Sequence, residues 1–227
     1  NTFDRHILYK KVLPFMWSNG GDVLNSDSTK CIINSPENSA AIAYLLGLAP
    51  YSFLGKQKEL DEMFKQGRLG FWISGSWLAA QISYEIPDLD FGVCLIPKPS
   101  KTQPSISFAG GEYLVINKVT KFPQESMALI DFMTKEDNSL FFCQILGMFV
   151  PGMKIPFSES YYNNRPIERI FAEQLETARS SPNISRWMYI KDIFEEEVGE
   201  VMEGLKPSSR GLRDANRRIG ELLKIEK

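Results

Sequence analysis

The 227-residue sequence has little of what metal sites and membrane spans need. It contains one histidine, His6, which excludes a multi-histidine metal site and has no evident nucleophile partner. No apolar run approaches the roughly 20 residues that cross a bilayer, so no transmembrane helix is predicted. We therefore predict neither a bound metal nor any other cofactor.

Cysteine pairs and a basic excess are also missing. Cys31, Cys94 and Cys143 lie far apart, form no CxxC motif and have apolar neighbours, which is typical of small buried side chains. The formal net charge is -2 with acidic and basic residues interspersed, so no nucleic-acid partner is predicted. The chain begins at Asn1 in what reads as a polar loop, which is typical of a fragment or a processed form.

The residues present predict a folded α/β protein. Hydrophobic residues make up 43% of the chain and aromatic residues 12%. Short apolar runs that favour strands alternate with amphipathic helical patterns, which indicates α/β layering. The predicted strands are residues 71–73, 91–96 and 113–117, and residues 97–104, with three prolines, read as a linker.

Helical spacing also predicts buried faces. The helix that starts at Ser35-Pro36 is expected to bury Ala41, Tyr44, Leu45 and Leu48. Two helices after Pro123 are expected to bury Met127, Ile130, Met133, Leu140, Phe141 and Ile145. The long helix from Trp187 is expected to bury Ile190, Phe194, Val198, Val201 and Met202.

The stretch Gly70–Trp77 is the strongest candidate for a binding site. A strand at residues 71–73 is predicted to turn at residues 74–76 and to enter a helix that Ser76 caps, with Trp77 in the first turn. A strand that runs into a helix N-terminus leaves free backbone N–H groups at the rim of a sheet, where polar ligands commonly bind. From residue type alone, Trp77 is either a core residue or a stacking surface for a ligand.

Taken in order, five segments resemble the family 1 extracellular solute-binding proteins, which are maltose-binding-protein-like carbohydrate receptors of ABC importers. The segments are residues 14–22, 64–77, 91–97, 108–116 and 181–187. The resemblance implies a type II periplasmic-binding-protein fold of two α/β lobes around a cleft, with most of the N-terminal lobe missing from this chain. It implies that residues 1–104 and 156–227 belong to the C-terminal lobe, that residues 105–155 return to the N-terminal lobe, and that the linker at residues 97–104 is a hinge crossing.

The same resemblance implies a function and a set of site residues. The protein would be a non-catalytic, monomeric receptor, outside the cytoplasm and lipid-anchored when whole, that passes a carbohydrate to an ABC permease. Trp77 and Trp187 match positions that stack on sugar rings, and Ser76 lies beside Trp77. The remaining candidates are Tyr9, Gly110, Gly111 and Glu112, where the two glycines predict a turn with positive φ and the carboxylate can accept hydroxyl hydrogens.

Two alternatives remain open from the residues themselves. A glycoside hydrolase with paired carboxylates is not excluded, because such a pair is defined by distance in space. Against it, the sequence has no GxSxG, GxGxxG, P-loop or zinc pattern. The second alternative is an isolated lobe that binds no ligand. Trp17 and Trp72 lie within apolar runs and are assigned to the core.

Overall fold

The computed structural model describes residues 7–148 and 165–225. Within these ranges the chain forms nine α-helices and two isolated β-bridges. The helices are α1 (Leu8–Ser18), α2 (Pro36–Leu48), α3 (Gln57–Lys65), α4 (Ser76–Glu85), α5 (Pro123–Thr134), α6 (Glu136–Ile145), α7 (Pro166–Leu175), α8 (Trp187–Met202) and α9 (Ser208–Lys224). The bridges join Leu24 to Cys31 and Phe108 to Arg179.

Backbone contacts divide the chain into two compact units. Unit 1 contains residues 1–72, 94–109 and 172–227, and unit 2 contains residues 73–93 and 110–171. The assignment of chain segments to the two lobes of a receptor stays a prediction. The chain passes between the units after residues 72, 93, 109 and 171, and the proline-rich loop at residues 97–104 lies within unit 1.

The two ends of that loop are held together by side chains. The Ser105 hydroxyl donates to the Ile96 carbonyl at 2.6 Å, and the Ile96 N–H donates to the Gln174 side-chain oxygen at 2.8 Å. The Gln174 amide in turn donates to the Ser105 carbonyl at 3.1 Å. These bonds close the base of the loop on the last turn of α7.

The core of unit 1 is built on α8 and α9, which pack against each other, and on α1. The buried face predicted for α8 is confirmed, because all five of its predicted residues are buried. Gly211 allows the close approach of α9, since a Cβ there would lie 2.3 Å from Val201 Cγ2 and 3.0 Å from the Glu197 carbonyl oxygen. Trp17 is buried as predicted.

The start of α2 is also as predicted, but its buried face is narrower. The Ser35 hydroxyl accepts the Asn38 N–H at 3.2 Å, with Pro36 in the first turn. Ala41 is buried, whereas Tyr44 and Leu48 are exposed. The apolar positions at the end of α2 are therefore only partly covered: Leu45 is half-buried, and the Tyr44 ring meets Phe15 with centroids 6.0 Å apart.

Unit 2 differs more from the prediction. The described part of the chain forms no strand ladder at residues 71–73, 91–96 or 113–117. Tyr113 is 89% exposed and Val115 is 83% exposed, and the backbone of residues 110–116 forms no hydrogen bond with any described residue. A β-strand forms only when its backbone bonds to another segment, and a short stretch of sequence does not show whether such a segment lies beside it.

The helical faces of unit 2 show the same difference. No residue of α5 is buried, and Cys143 is the buried residue of α6. Met127, Phe141 and Ile145, all predicted to be buried, are exposed. Their helical spacing is correct, but the surface that would cover them is not formed by the described residues. Residues 149–155 of the segment predicted to return to the N-terminal lobe lie outside the described residues.

Candidate functional site

The start of α4 presents Trp77 in its first turn, as predicted, but the cap is one residue earlier than predicted. Gly75 is the N-cap, with extended φ and ψ of -93° and 169°, and Ser76 is the first helical residue. The N-cap is the last residue outside the helix, so a turn that stays extended through Gly75 moves the cap from Ser76. Gly75 has no side chain with which to cap this N-terminus.

Two glycines fix the position of Trp77. A Cβ at Gly75 would lie 2.4 Å from Trp77 Nε1 and 2.5 Å from Cδ1, so the indole lies against the backbone of Gly75. At the end of α6, Gly147 has a φ of +62° and packs on the first turn of α4, where its Cβ would lie 2.5 Å from Ala80 Cβ and 2.9 Å from the Ser76 carbonyl oxygen. Trp77 nevertheless remains 43% exposed. The sequence analysis found the tryptophan but missed the role of both glycines.

The segment Gly110–Glu112 is exposed, and its glycines do not form the turn predicted for them. Neither Gly110 nor Gly111 has a positive φ, because the backbone here continues without turning back. No atom lies within 4 Å of the position that a Cβ on Gly111 would take. The Glu112 carboxylate is exposed and forms no hydrogen bond with a described residue.

In unit 1 the structure brings Tyr9 and Trp187 together with Phe108, which the sequence analysis did not select. The Tyr9 ring meets Phe108 edge-on, with centroids 5.3 Å apart, and meets Trp187 with centroids 6.3 Å apart. Trp17 stacks on Phe108, with centroids 6.2 Å apart and planes 9° apart. Tyr9 and Trp187 are buried, whereas Phe108 is half-buried. We call Tyr9, Phe108 and Trp187 the aromatic cluster.

A parallel bridge holds Phe108 and a cation on this surface. The Arg179 N–H donates to the Ser107 carbonyl at 2.9 Å, and the Ala109 N–H donates to the Arg179 carbonyl at 2.8 Å. The Arg179 guanidinium lies 4.8 Å from the centroid of the Trp17 ring. Phe108 begins the segment 108–116 that carries part of the family resemblance, and it could have been selected from that segment. No pattern in the sequence around Arg179 indicates a role for it.

Carboxylates and an ammonium group border the same rings. Asp22 forms an ion pair with Arg179 and accepts the Trp17 indole N–H at 3.0 Å. Lys10 is exposed, and its Nζ lies 5.7 Å from the Phe108 centroid and 5.9 Å from the Tyr9 centroid. Burial raises the pKa of the Tyr9 hydroxyl, a hydrogen bond with Ser181 opposes this shift, and the Glu195 charge adds to it.

Trp72, which the sequence analysis assigned to the core, is half-buried between charged groups. Its indole N–H donates to Asp61 Oδ1 at 2.7 Å, and Gln57 donates to the same oxygen at 2.7 Å. The Lys11 ammonium lies 4.8 Å from the ring centroid. Burial lowers the pKa of Lys11 to about 8, although the Asp61 charge opposes that shift.

The described residues hold no obvious metal-ligand set and no membrane-spanning helix. In residues 7–148 and 165–225, no three histidine, cysteine, aspartate or glutamate side chains come together as metal ligands. In the same ranges, no helix combines the length and the apolar character that a bilayer crossing requires. His6 lies outside the described residues.

Comparison with known proteins identifies the class of this chain. Residues 9–161 match the family model described as bacterial extracellular solute-binding protein. A binding protein of Brucella abortus (strain 2308) is 28% identical over 218 residues, covering 92% of this chain and 52% of the relative. The maltodextrin-binding protein MdxE of Bacillus subtilis (strain 168) is 25% identical over 165 residues, covering 73% of this chain and 39% of that protein. The chain thus spans about half the length of the curated relatives or less.

Solved structures show the same fold. A solute-binding protein of an ABC transporter from Thermotoga lettingae TMO, bound with α-D-tagatose, superposes with a TM-score of 0.83 at 23% identity, covering 98% of this chain and 58% of that one. Maltose-bound MalE3 of T. maritima also gives a TM-score of 0.83, at 20% identity, covering 96% of this chain and 58% of that one.

The fold is therefore that of the type II periplasmic binding proteins, of which this chain forms a part, and the family that it matches consists of solute-binding proteins. The chain belongs to the bacterial extracellular solute-binding protein family. The predicted α/β fold class and family are confirmed.

Proposed function

We propose that the chain is the solute-recognising part of an ABC importer's carbohydrate receptor, and that it binds a sugar or oligosaccharide without changing it. Support comes from its family and from relatives whose names refer to maltodextrin, maltose and tagatose. The whole protein would act outside the cytoplasm as a monomer that is anchored by lipid and delivers its ligand to a membrane permease. The interlobe cleft of the whole receptor stays a prediction.

Trp77 is the observation on which this proposal rests. A sugar presents a face of C–H groups and a rim of hydroxyls, so a receptor needs a flat aromatic surface beside polar groups. Trp77 is a large exposed side chain that Gly75 and Gly147 hold in place at a helix start whose N-cap is a glycine. The indole would stack on the sugar, and the N–H groups and the hydroxyl of Ser76 would bond to its rim.

The other site residues take supporting roles in the proposal. Phe108 offers the accessible ring of the aromatic cluster, with Tyr9 and Trp187 against it. Ligand contact by Tyr9 and Trp187 stays a prediction, because each exposes less than a tenth of its surface. Gly110 and Gly111 would let the backbone approach a ligand and Glu112 would accept hydroxyl hydrogens, which the exposure of all three supports.

Calorimetric titration with maltose, maltotetraose and tagatose tests the proposal. Trp77→Ala should weaken binding at least tenfold, because burying a large aromatic side chain contributes about 1.5–3 kcal/mol. Tyr84→Ala is the matched control, since Tyr84 is an aromatic residue of the same helix and is 89% exposed. Its affinity should stay within about twofold of the unchanged protein.

Two outcomes would contradict the proposal. The first is that the unchanged protein binds none of these sugars, which would favour an isolated lobe without a ligand. The second is that Trp77→Ala binds as tightly as Tyr84→Ala. Chromatography of the recovered sugar completes the test, because a receptor returns it intact and a glycoside hydrolase releases new reducing ends.

A further inference from the structure

The first turn of α1 is capped by a side chain from α8. Ile7, the N-cap of α1, makes no side-chain cap. Instead the Tyr9 N–H donates to Glu195 Oε1 at 3.0 Å, and the Leu8 N–H faces the same carboxyl group. The first N–H groups of a helix have no partner within the helix, and a carboxylate is favourable there because it faces the positive end of the helix dipole.

This carboxyl group is buried and only half satisfied. Glu195 is 4% exposed, and its Oε2 has no hydrogen-bond partner among residues 7–148 and 165–225. A buried carboxylate oxygen without a partner costs free energy when the group is ionised, and much less when it is protonated. The structure thus couples a contact between two helices to the charge of one carboxyl group.

Burial raises the pKa of Glu195 to about 7, while the N–H groups of Tyr9 and Leu8 and the charge of Lys191 oppose the shift. In the part of the chain that the structure describes, the charged groups that face Glu195 are Lys191 and Asp192 on α8 itself. From α1, the titratable group that faces it is the Tyr9 hydroxyl.

The same contact supports the aromatic cluster. The Tyr9 backbone is held by Glu195, and the Tyr9 ring packs against Phe108 and Trp187. Trp187 begins α8, two turns before Glu195. One helix therefore holds Tyr9 at two points, through a carboxyl group and through an indole ring.

We propose that Glu195 is a positioning residue for the aromatic cluster, and that the hold of α8 on the first turn of α1 depends on the protonation state of its carboxyl group. When the first turn of α1 opens, water reaches the Glu195 carboxylate, and the pKa of this group falls toward its ordinary value. The closed contact binds the proton more tightly than the open one. The hold is therefore strongest at acidic pH and weakens as pH rises through about 7.

Amide hydrogen exchange at Tyr9 measures this hold without any sugar. We compare the unchanged protein, Glu195→Gln and Glu196→Gln between pH 5.5 and 8.5, with rates corrected for the intrinsic pH dependence of exchange. Protection should fall by up to about 30-fold in the unchanged protein, which is the limit set by linkage for this pKa. Glu196→Gln is the matched control, since Glu196 is the exposed neighbour that pairs with Arg218. It should show the same fall, whereas Glu195→Gln should vary less than twofold.

A flat profile in the unchanged protein, or an equal fall in Glu195→Gln, would overturn the inference. If Glu195→Gln does not fold, NMR titration of the Glu195 carboxyl in the unchanged protein decides instead, and a midpoint below pH 5.5 would refute it. The effect on ligand binding rests on the proposed function: sugar affinity should fall with pH in the unchanged protein but not in Glu195→Gln. Because exchange needs no ligand, its pH profile can hold even if no sugar binds.

Discussion

Replacing Gly211 with alanine should destabilise the protein, although the same change usually stabilises a helix. Alanine is favoured over glycine in a helix interior by about 1 kcal/mol. At Gly211 the new methyl group would lie 2.3 Å from Val201 Cγ2 and 3.0 Å from the Glu197 carbonyl oxygen. Val201 is buried and β-branched, so it has few rotamers to adopt, and the carbonyl moves only if α8 moves.

The expected magnitude follows from these two opposing effects. Forcing a methyl group into a packed site costs about 1–3 kcal/mol, and the contacts of 2.3 Å and 3.0 Å put Gly211 in the upper part of that range, at about 2–3 kcal/mol. After the gain in helix propensity, Gly211→Ala should lose about 1–2 kcal/mol. Gly220→Ala is a matched control in the same helix, since no atom lies within 4 Å of its Cβ position. It should gain about 0.5–1 kcal/mol, so the two variants should change stability in opposite directions.

Urea unfolding followed by tryptophan fluorescence measures both variants, because Trp17 and Trp187 lie in unit 1 with α9. The midpoint should fall for Gly211→Ala and rise for Gly220→Ala, with the slope unchanged. In a thermal scan, 1 kcal/mol corresponds to about 2–4 °C for a chain of this size. A rise in stability for both variants would refute the close crossing of α8 and α9.

Two further predictions concern other parts of the chain. Gly147→Ala should lower the free energy of unfolding by about 2–4 kcal/mol, because the φ of Gly147 is +62° and its Cβ would meet Ala80. Gly204→Ala is the control, since Gly204 has a φ of +76° but open space around its Cβ position, and it should lose only about 1 kcal/mol. Equal losses in thermal unfolding would contradict the packing of α6 on α4. With a thiol reagent at pH 8, the exposed Cys94 should react first. Burial shields Cys31 and Cys143 from the reagent, raises the pKa of Cys31 to about 11 and raises the pKa of Cys143. Fast reaction of all three thiols in the folded protein would contradict this prediction.

Features set by neighbours in the sequence were predictable. The buried face of α8 follows from the spacing of its apolar residues, and the start of α2 follows from Ser35 and Pro36, since both depend on a few consecutive residues. The resemblance led to the correct family because five short segments occur in a fixed order. The start of α4 was predicted only to within one residue: Ser76 was expected as the N-cap, but Gly75 takes that position, so the expected serine cap is not formed.

Features set by distant residues were not predictable. Phe108 and Arg179 meet through a bridge between segments 71 residues apart, and Glu195 reaches Tyr9 across 186 residues. No pattern along the chain encodes either contact. The apolar positions of α5 and α6 were read correctly as faces that need a cover, but spacing alone cannot say whether the chain itself provides one.

The exposed segment at residues 110–116 has a practical consequence for handling this protein. A backbone whose N–H and C=O groups bond to no described residue, beside exposed apolar side chains such as Tyr113 and Val115, is a template on which further chains can add. Lys118 and Lys121 follow it and oppose such stacking by charge repulsion, which salt screens. Samples at low protein concentration and low ionic strength should therefore stay in solution longest, and samples at high protein concentration and high ionic strength should aggregate first.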